Sequence, residues 1–279
     1  MPVSMSIDAR HLPSSLVLVG AGKMGGSMLE GWLAVGMNPT GVTVIDPRPS
    51  DEMVRFCNER GIALNPADPT APDVLVLAIK PQMLEEAAPR LNGLLGPHTL
   101  IVSILAGKTI GDLRSRLPAA TAIVRAMPNL PASIGRGATG AAANAEVTEA
   151  QRLMADALLR SNGIVEWLDT EDLIDAVTAL SGSGPAYVFH LVECLAEAGT
   201  AAGLPADLAQ RLARATVTGA GELLFQSELP PATLRQNVTS PGGTTAAALE
   251  VLMAEENGLK ALMREAVAAA KRRAAELSG

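Results

Sequence analysis

Leu16-Val17-Leu18-Val19-Gly20-Ala21-Gly22-Lys23-Met24-Gly25 runs from four consecutive apolar residues straight into a glycine-rich turn. The residues that follow, from Ser27 through Trp32 and Leu33, are apolar at helical spacing. Strand, turn and helix in that order open a dinucleotide-binding unit, in which each glycine has a separate task. Gly20 makes the tight turn, Gly22 lets a pyrophosphate approach the backbone, and Gly25 lets helix and strand pack closely. Lys23 and Met24 then fall at the ligand-facing start of the helix.

Context strengthens the motif. Val42-Thr43-Val44-Ile45 reads as a second strand and ends in Asp46, about twenty residues beyond Gly25, where an acidic side chain can accept hydrogen bonds from a ribose. Arg48 stands two positions later and suits a 2′-phosphate instead, so the choice between NADH and NADPH stays open, with Asp46 leaning it to NADH. An ordinary turn carboxylate is the plainer account of Asp46. Further apolar runs at Val74 to Ile79, Leu100 to Leu105 and Ala122 to Met127 fit strands buried on both faces. Gly137 to Ala143 and Ile164 to Leu168 complete the sheet. The segments Lys80-Pro81, Ala106-Gly107-Lys108 and Pro128-Asn129-Leu130-Pro131 leave the carboxyl ends of three strands, which places them along one crevice. Lys80, after a buried strand and before a proline, reads as a cofactor contact rather than a solvated loop lysine.

From Asp169 onward the strand signals stop. Helices are expected over Asp169 to Leu180, Pro185 to Ala201, Pro205 to Ser227, Ala232 to Val238, Thr244 to Glu255 and Gly258 to Glu276. The boundary falls near Leu168, giving an α/β Rossmann-type doubly wound sheet over 1–168 and an all-α half over 169–279. Within that half, Ser240-Pro241-Gly242-Gly243-Thr244-Thr245 has the makings of a carboxylate trap. Two glycines let the backbone close on a ligand, and the two threonines sit where the free N–H groups of a first helical turn point outward. A well-capped helix start is the competing reading. His190, on a helix face without a metal-ligating companion, is given no role.

Composition narrows the function classes. Hydrophobic residues make up 48%, while two Trp, one Tyr and three Phe are the only aromatics. An Ala-rich helical half buries little area per side chain and gains much by docking onto a second copy. A net charge of −7 without a basic run disfavours nucleic acid. No apolar run is long enough for a membrane span, and Met1 to Pro13 lack a signal-peptide layout, so a soluble cytoplasmic protein is expected. Cys57 and Cys194 are spaced neither for a disulfide framework nor for a metal, and both are expected as buried thiols.

In order along the chain, Gly-Ala-Gly-Lys-Met-Gly (20–25), Ala-Ile-Lys-Pro (78–81), Ser-Ile-Leu-Ala-Gly (103–107), Arg-Ala-Met-Pro-Asn (125–129), Ser-Gly-Ser-Gly-Pro-Ala-Tyr (181–187) and Leu-Arg-Gln-Asn-Val-Thr-Ser-Pro-Gly-Gly-Thr-Thr (234–245) resemble the pyrroline-5-carboxylate reductases. The likeness covers nearly everything after residue 14, and the last segment is the family's signature. It implies that the glycine turn binds the pyrophosphate of NADPH or NADH, with Asn65 on the adenosine side. Lys80, Pro81 and Ala106 would border the nicotinamide. Backbone N–H groups of Gly243 to Thr245 would hold the substrate carboxylate, within a loop that includes Ser240, Gly242 and Thr244. The Thr245 hydroxyl and Glu228 would lie by the ring nitrogen, making these two the catalytic pair. The short Pro-rich loop before Asn65 departs from the family. The likeness further implies that the helical half is a dimerisation domain, in a homodimer or a decamer of five dimers. It implies no metal. The substrate would be pyrroline-5-carboxylate or a related cyclic imine. A β-hydroxyacid dehydrogenase is the nearest rival, but those enzymes resemble one another in a catalytic Lys early in the second domain, and none occurs here between Lys108 and Lys260. A non-catalytic NAD(P)H sensor would have no use for a carboxylate trap.

Overall fold

The structure is a computed structural model that describes residues 8–278, the side chain of Ser278 excepted. The chain divides into two compact units, one running up to Ser183 and taking in the last residues from Ala270, the other being Gly184–Ala269.

The first unit is built on β1 (Leu16–Val19), α1 (Lys23–Ala34), β2 (Val42–Ile45), α2 (Asp51–Arg60), β3 (Ala63–Leu64), β4 (Val74–Leu77), α3 (Leu84–Asn92), β5 (Leu100–Ser103), α4 (Ile110–Arg116), β6 (Ala122–Met127), β7 (Gly137–Ala143), α5 (Glu149–Arg160) and β8 (Gly163–Trp167). Strand order is β3-β2-β1-β4-β5-β6-β7-β8, parallel throughout except where β7 meets β6. Alternation along each strand sends residues to opposite faces. Leu16 and Leu18 therefore join Trp32, Val44 and Leu158 on one side. Val17 and Val19 join Leu77, Leu91 and Leu113 on the other. The Trp32 indole N–H reaches the Leu158 carbonyl at 2.9 Å, tying α1 to α5 within the first layer.

Register fixes where a ligand can lie. Val19 pairs with Ile45 and Leu77, Leu77 with Ser103, and Ser103 with Arg125. The chain therefore leaves the sheet at one level after β1, β2, β4 and β5, with β6 running on beside them to Met127. That common edge, with β1 at the point where the strand order reverses, is where open α/β sheets bind ligands.

Two expectations need revision. The helix expected over Asp169 to Leu180 is a composite: a 3-10 turn (Glu171–Leu173), a single α turn, α6 (Ile174–Val177), and a π-helical turn (Thr178–Gly182). This composite packs with the first unit, which runs on to Ser183. The reason is visible in Arg125 and Asn129, which hold the composite against β6, as described below. Cys57 is buried as expected, and its burial pushes the thiol pKa up. Cys194 is exposed, the reverse of expectation, because it lies on the outward side of the helix Gly184–Ala201, none of whose residues is fully buried.

At the start of α4, burial pushes the Asp112 carboxyl up, but hydrogen bonds from the Thr109 N–H and hydroxyl, with Lys108 and Arg116 nearby, outweigh it and leave the pKa below the usual value. That capping contribution is present above the ordinary Asp range and lost as pH falls through the lowered folded value.

The second unit holds α7 (Gly184–Ala201), α8 (Ala206–Gln226), α9 (Pro231–Asn237), α10 (Thr244–Leu252) and most of α11 (Leu259–Ser278). Helices α7 and α8 pack as an antiparallel pair, and Ala209 and Ala213 are the buried apolar side chains of this unit among the described residues. Phe189, Leu191, Leu195, Leu212, Leu223 and Phe225 are all exposed. No described helix is long and apolar enough to cross a membrane.

Candidate active site

The glycine turn is held by contacts that only glycine permits. Gly20 has φ +92°, and a Cβ there would stand 2.8 Å from the Ala78 carbonyl and the Ile79 nitrogen at the end of β4. A Cβ on Gly25 would run into the Gly20 carbonyl oxygen. Gly22 differs: nothing lies within 4 Å of its Cβ position, and it starts α1 with no side-chain cap. The free N–H groups of the first turn of α1, including those of Lys23 and Met24, thus border open space, a fit for a diphosphate.

Asp46 and Asn65 form one bracket. Asp46 Oδ2 accepts from the Ala21 N–H at 2.9 Å, and Oδ1 accepts from the Arg48 N–H at 2.8 Å. Asn65, in the left-handed region at φ +50°, accepts from the Asp46 N–H at 2.9 Å and donates to the Asp46 carbonyl at 2.7 Å. Both ends of the Asn65 amide are engaged by this backbone, so its observed task is to fix Asp46 beside the glycine turn. The Arg48 side chain is exposed and enters no ion pair among the described residues. Lys80 is exposed and Pro81 half-buried where the chain leaves β4, and Ala106 is exposed beyond β5. At the next residue, Gly107 (φ +69°), the missing side chain leaves room for the Leu277 backbone, 2.7 Å from where a Cβ would stand.

A polar cluster under the edge was not anticipated from the sequence. The Arg125 side chain, 5% exposed, donates to Glu171 Oε1 at 2.9 Å and has Asp175 at 3.9 Å. The same Glu171 oxygen accepts from the Ile110 N–H at 2.8 Å, so one carboxylate joins the start of α4 to β6. An Arg inside an otherwise apolar strand run was the signal available for it.

In the second unit, α10 begins at Thr244 with Gly243 as its N-cap, and no side chain caps it. Gly242 takes φ +67° and is open on its Cβ side. The Gly243 N–H donates to the Ser240 carbonyl at 3.0 Å. This revises the expected donor set, since a turn that closes on itself spends that N–H. The orphan donors of the first turn are those of Thr244, Thr245 and Ala246. Glu228 is exposed in the link between α8 and α9. His190 is exposed as well, with Nδ1 2.9 Å from Glu193 and Nε2 3.6 Å from Cys194. The first unit thus gathers the glycine turn, Asp46, Arg48, Asn65, Lys80, Pro81 and Ala106, while Glu228 and the 240–245 loop belong to the second. Among the described residues no group of three His, Cys, Asp or Glu side chains could hold a metal.

A doubly wound sheet whose β1 ends in this turn, with open, donor-rich space at the switch point, defines a dinucleotide-dependent oxidoreductase. The family profile for NADP oxidoreductase, coenzyme F420-dependent, matches residues 15–107. That for pyrroline-5-carboxylate reductase dimerisation matches residues 171–277. The chain is 41% identical over 266 residues to pyrroline-5-carboxylate reductase of Pseudomonas aeruginosa, covering 94% of this chain and 96% of that protein. It is 46% identical over 206 residues to the Synechocystis enzyme of the same name, with 74% and 75% covered. Among solved structures, a pyrroline-5-carboxylate reductase from Coxiella burnetii superposes with a TM-score of 0.87 at 37% identity, over 95% of this chain and 99% of that one. Plasmodium falciparum pyrroline carboxylate reductase with NADP bound gives 0.74 at 28% identity, over 95% and 98%. This chain belongs to the pyrroline-5-carboxylate reductase family.

Proposed function

We propose that the protein reduces L-1-pyrroline-5-carboxylate to L-proline with NADPH or NADH, the glycine turn serving the coenzyme and the 240–245 loop the substrate carboxylate. Family membership across nearly the whole chain carries the reading. The NADP bound to the Plasmodium relative supports the choice of coenzyme. When bound, the dinucleotide supplies hydride to the imine carbon of the substrate. The chain's own residues do the rest. The α1 N–H groups beyond Gly22 hold the diphosphate, and Lys80, Pro81 and Ala106 border the nicotinamide end. The N–H groups of Thr244, Thr245 and Ala246 grip the substrate carboxylate. The imine nitrogen is basic enough to enter as the protonated iminium, so its proton is already in place and hydride addition gives the neutral secondary amine. The Thr245 hydroxyl, at the second position of α10, and Glu228 then orient and stabilise the N–H rather than serve as a strong acid. Holding the ring in register is the main source of rate, worth roughly 7–11 kcal/mol at best.

Purified protein should oxidise NADPH or NADH only when pyrroline-5-carboxylate is supplied, and yield proline. Turnover of a hydroxyacid in its place would overturn the assignment. Thr245→Ala is expected to lower kcat/KM for the imine roughly 10–100-fold, on the scale of a lost charge-assisted hydrogen bond of about 1.5–3 kcal/mol, with coenzyme affinity unchanged. An unaltered catalytic efficiency would remove Thr245 from the site. Gly243→Val should raise the KM of the substrate, because a Cβ at 243 already meets the Ser240 carbonyl at 3.1 Å and the turn must shift to admit it.

The exposed apolar residues of α7 and α8 support a homodimer formed through the second unit. Each large side chain covered there is worth about 1.5–3 kcal/mol. A ring of five dimers is the further assembly we propose, and light scattering of the purified protein distinguishes it from the dimer.

A further inference from the structure

We propose that Asn129 is a positioning residue for hydride transfer, acting through the π-helical turn Thr178–Gly182; this rests on the reductase reading above. Asn129 lies in the loop directly after β6. Its side-chain amide is satisfied in two directions. Oδ1 accepts from the Ala138 N–H at 2.9 Å, at the start of β7, and Nδ2 donates to the Ser181 hydroxyl at 3.1 Å and the Ser181 carbonyl at 3.2 Å. The Ser181 hydroxyl donates in turn to the Ala138 carbonyl at 3.2 Å. One amide and one hydroxyl therefore lock three segments: the loop after β6, the start of β7 and the π turn. Apolar contacts continue the seam, since a Cβ on Gly182 would lie 3.0 Å from Met127 Cε and one on Gly140 would lie 2.8 Å from Val177.

Two physical points connect this lock to catalysis. A π turn is an uncommon, less favourable winding that occurs mostly at functional sites, so it persists where its surroundings hold it. Here the Ser183 N–H closes it on the Thr178 carbonyl at 2.9 Å, and Asn129 grips it from outside. The grip is also placed selectively. The diphosphate turn lies at β1 and the ribose bracket at β2, whereas Asn129 stands beyond β6, past the β4 and β5 ends assigned to the nicotinamide. Loosening this loop disturbs the wall beside the reacting ring and leaves the adenosine end untouched. A displacement near 1 Å at reacting atoms can lower a rate by about 10²-fold.

The test compares Asn129→Ala, Ser181→Ala and Ser181→Thr with the wild type. Four quantities are read: kcat, coenzyme dissociation constant by fluorescence, melting temperature, and the primary isotope effect with C4-deuterated coenzyme. Expected are a kcat lowered roughly 10²-fold in Asn129→Ala and less in Ser181→Ala. Coenzyme affinity should stay within about twofold, an enlarged isotope effect should show hydride transfer as the slowed step, and Ser181→Thr should recover activity by restoring the hydroxyl. A kcat near wild type in Asn129→Ala, or a loss that follows coenzyme affinity and melting temperature with no change in isotope effect, overturns the proposal. If Asn129→Ala does not fold, the two Ser181 variants decide by the same criteria. A wild type inactive on pyrroline-5-carboxylate overturns the functional reading itself and the proposal with it, whereas an active wild type with indifferent variants overturns the proposal alone.

Discussion

Gly22→Val is expected to fold as the wild type does and to bind coenzyme at least about tenfold more weakly, while Gly25→Ala is expected to lose both stability and binding. The two glycines are three residues apart in one motif, yet they face different things. Gly22 has φ −70° and open space at its Cβ position, so a side chain there strains nothing inside the protein. It projects into the volume assigned to the diphosphate, whose approach to the backbone it blocks. At Gly25 the added methyl meets the Gly20 carbonyl oxygen, with Ala78 Cβ 3.2 Å away on another side. Gly20 cannot retreat, because it is pressed against the end of β4. Overpacking of this kind costs about 1–3 kcal/mol and sometimes more, and here it opens the turn that carries the site. Gly26→Ala is the control, since its Cβ would touch the flexible end of Met53 at 3.2 Å and should be tolerated. Thermal melts and coenzyme titrations of the three variants read the outcome. Wild-type affinity in Gly22→Val would refute the placement of the diphosphate.

Glu171→Ala should destabilise the first unit by about 3–5 kcal/mol, the range for breaking a buried ion pair from one side. The substitution strands the Arg125 guanidinium inside β6 with Asp175 at 3.9 Å, and it leaves the Ile110 N–H without its acceptor. Removing one partner costs more than the pair contributes, because the remaining charge stays desolvated. Arg211→Ala, which breaks an exposed pair with Asp207, should by contrast change stability by less than about 1 kcal/mol. Urea denaturation compares them, and a loss below 1 kcal/mol in Glu171→Ala would show that solvent reaches Arg125 freely.

How much of this could be read from the sequence depended on the range of the interaction. The glycine turn, its strand and its helix are local, so their pattern is visible in consecutive residues. The five long apolar runs locate their strands for the same reason. Strand direction is another matter: β7 is as apolar as its neighbours, and nothing in Gly137–Ala143 says that it runs against β6. β3 has two residues and depends on pairing with β2 rather than on a run of its own. Arg125, Glu171 and Ile110 meet only after the sheet and composite helix have packed, so the cluster has no local signal. In the 240–245 loop the residue types were legible. Which N–H the turn spends on itself was not, because that depends on the Ser240 carbonyl swinging toward Gly243.

The bracket around Asp46 has a consequence for anyone who wishes to redesign coenzyme choice. Exchanging the acidic residue at the end of β2 is the usual first thought for admitting a 2′-phosphate. In this chain its two oxygens are the acceptors for the Ala21 and Arg48 N–H groups, so a smaller residue at 46 would slacken the glycine turn along with any change in selectivity. Arg48 is the freer handle. Its side chain is exposed, only its backbone N–H belongs to the bracket, and changes there can retune charge at the proposed ribose position while the turn stays as it is.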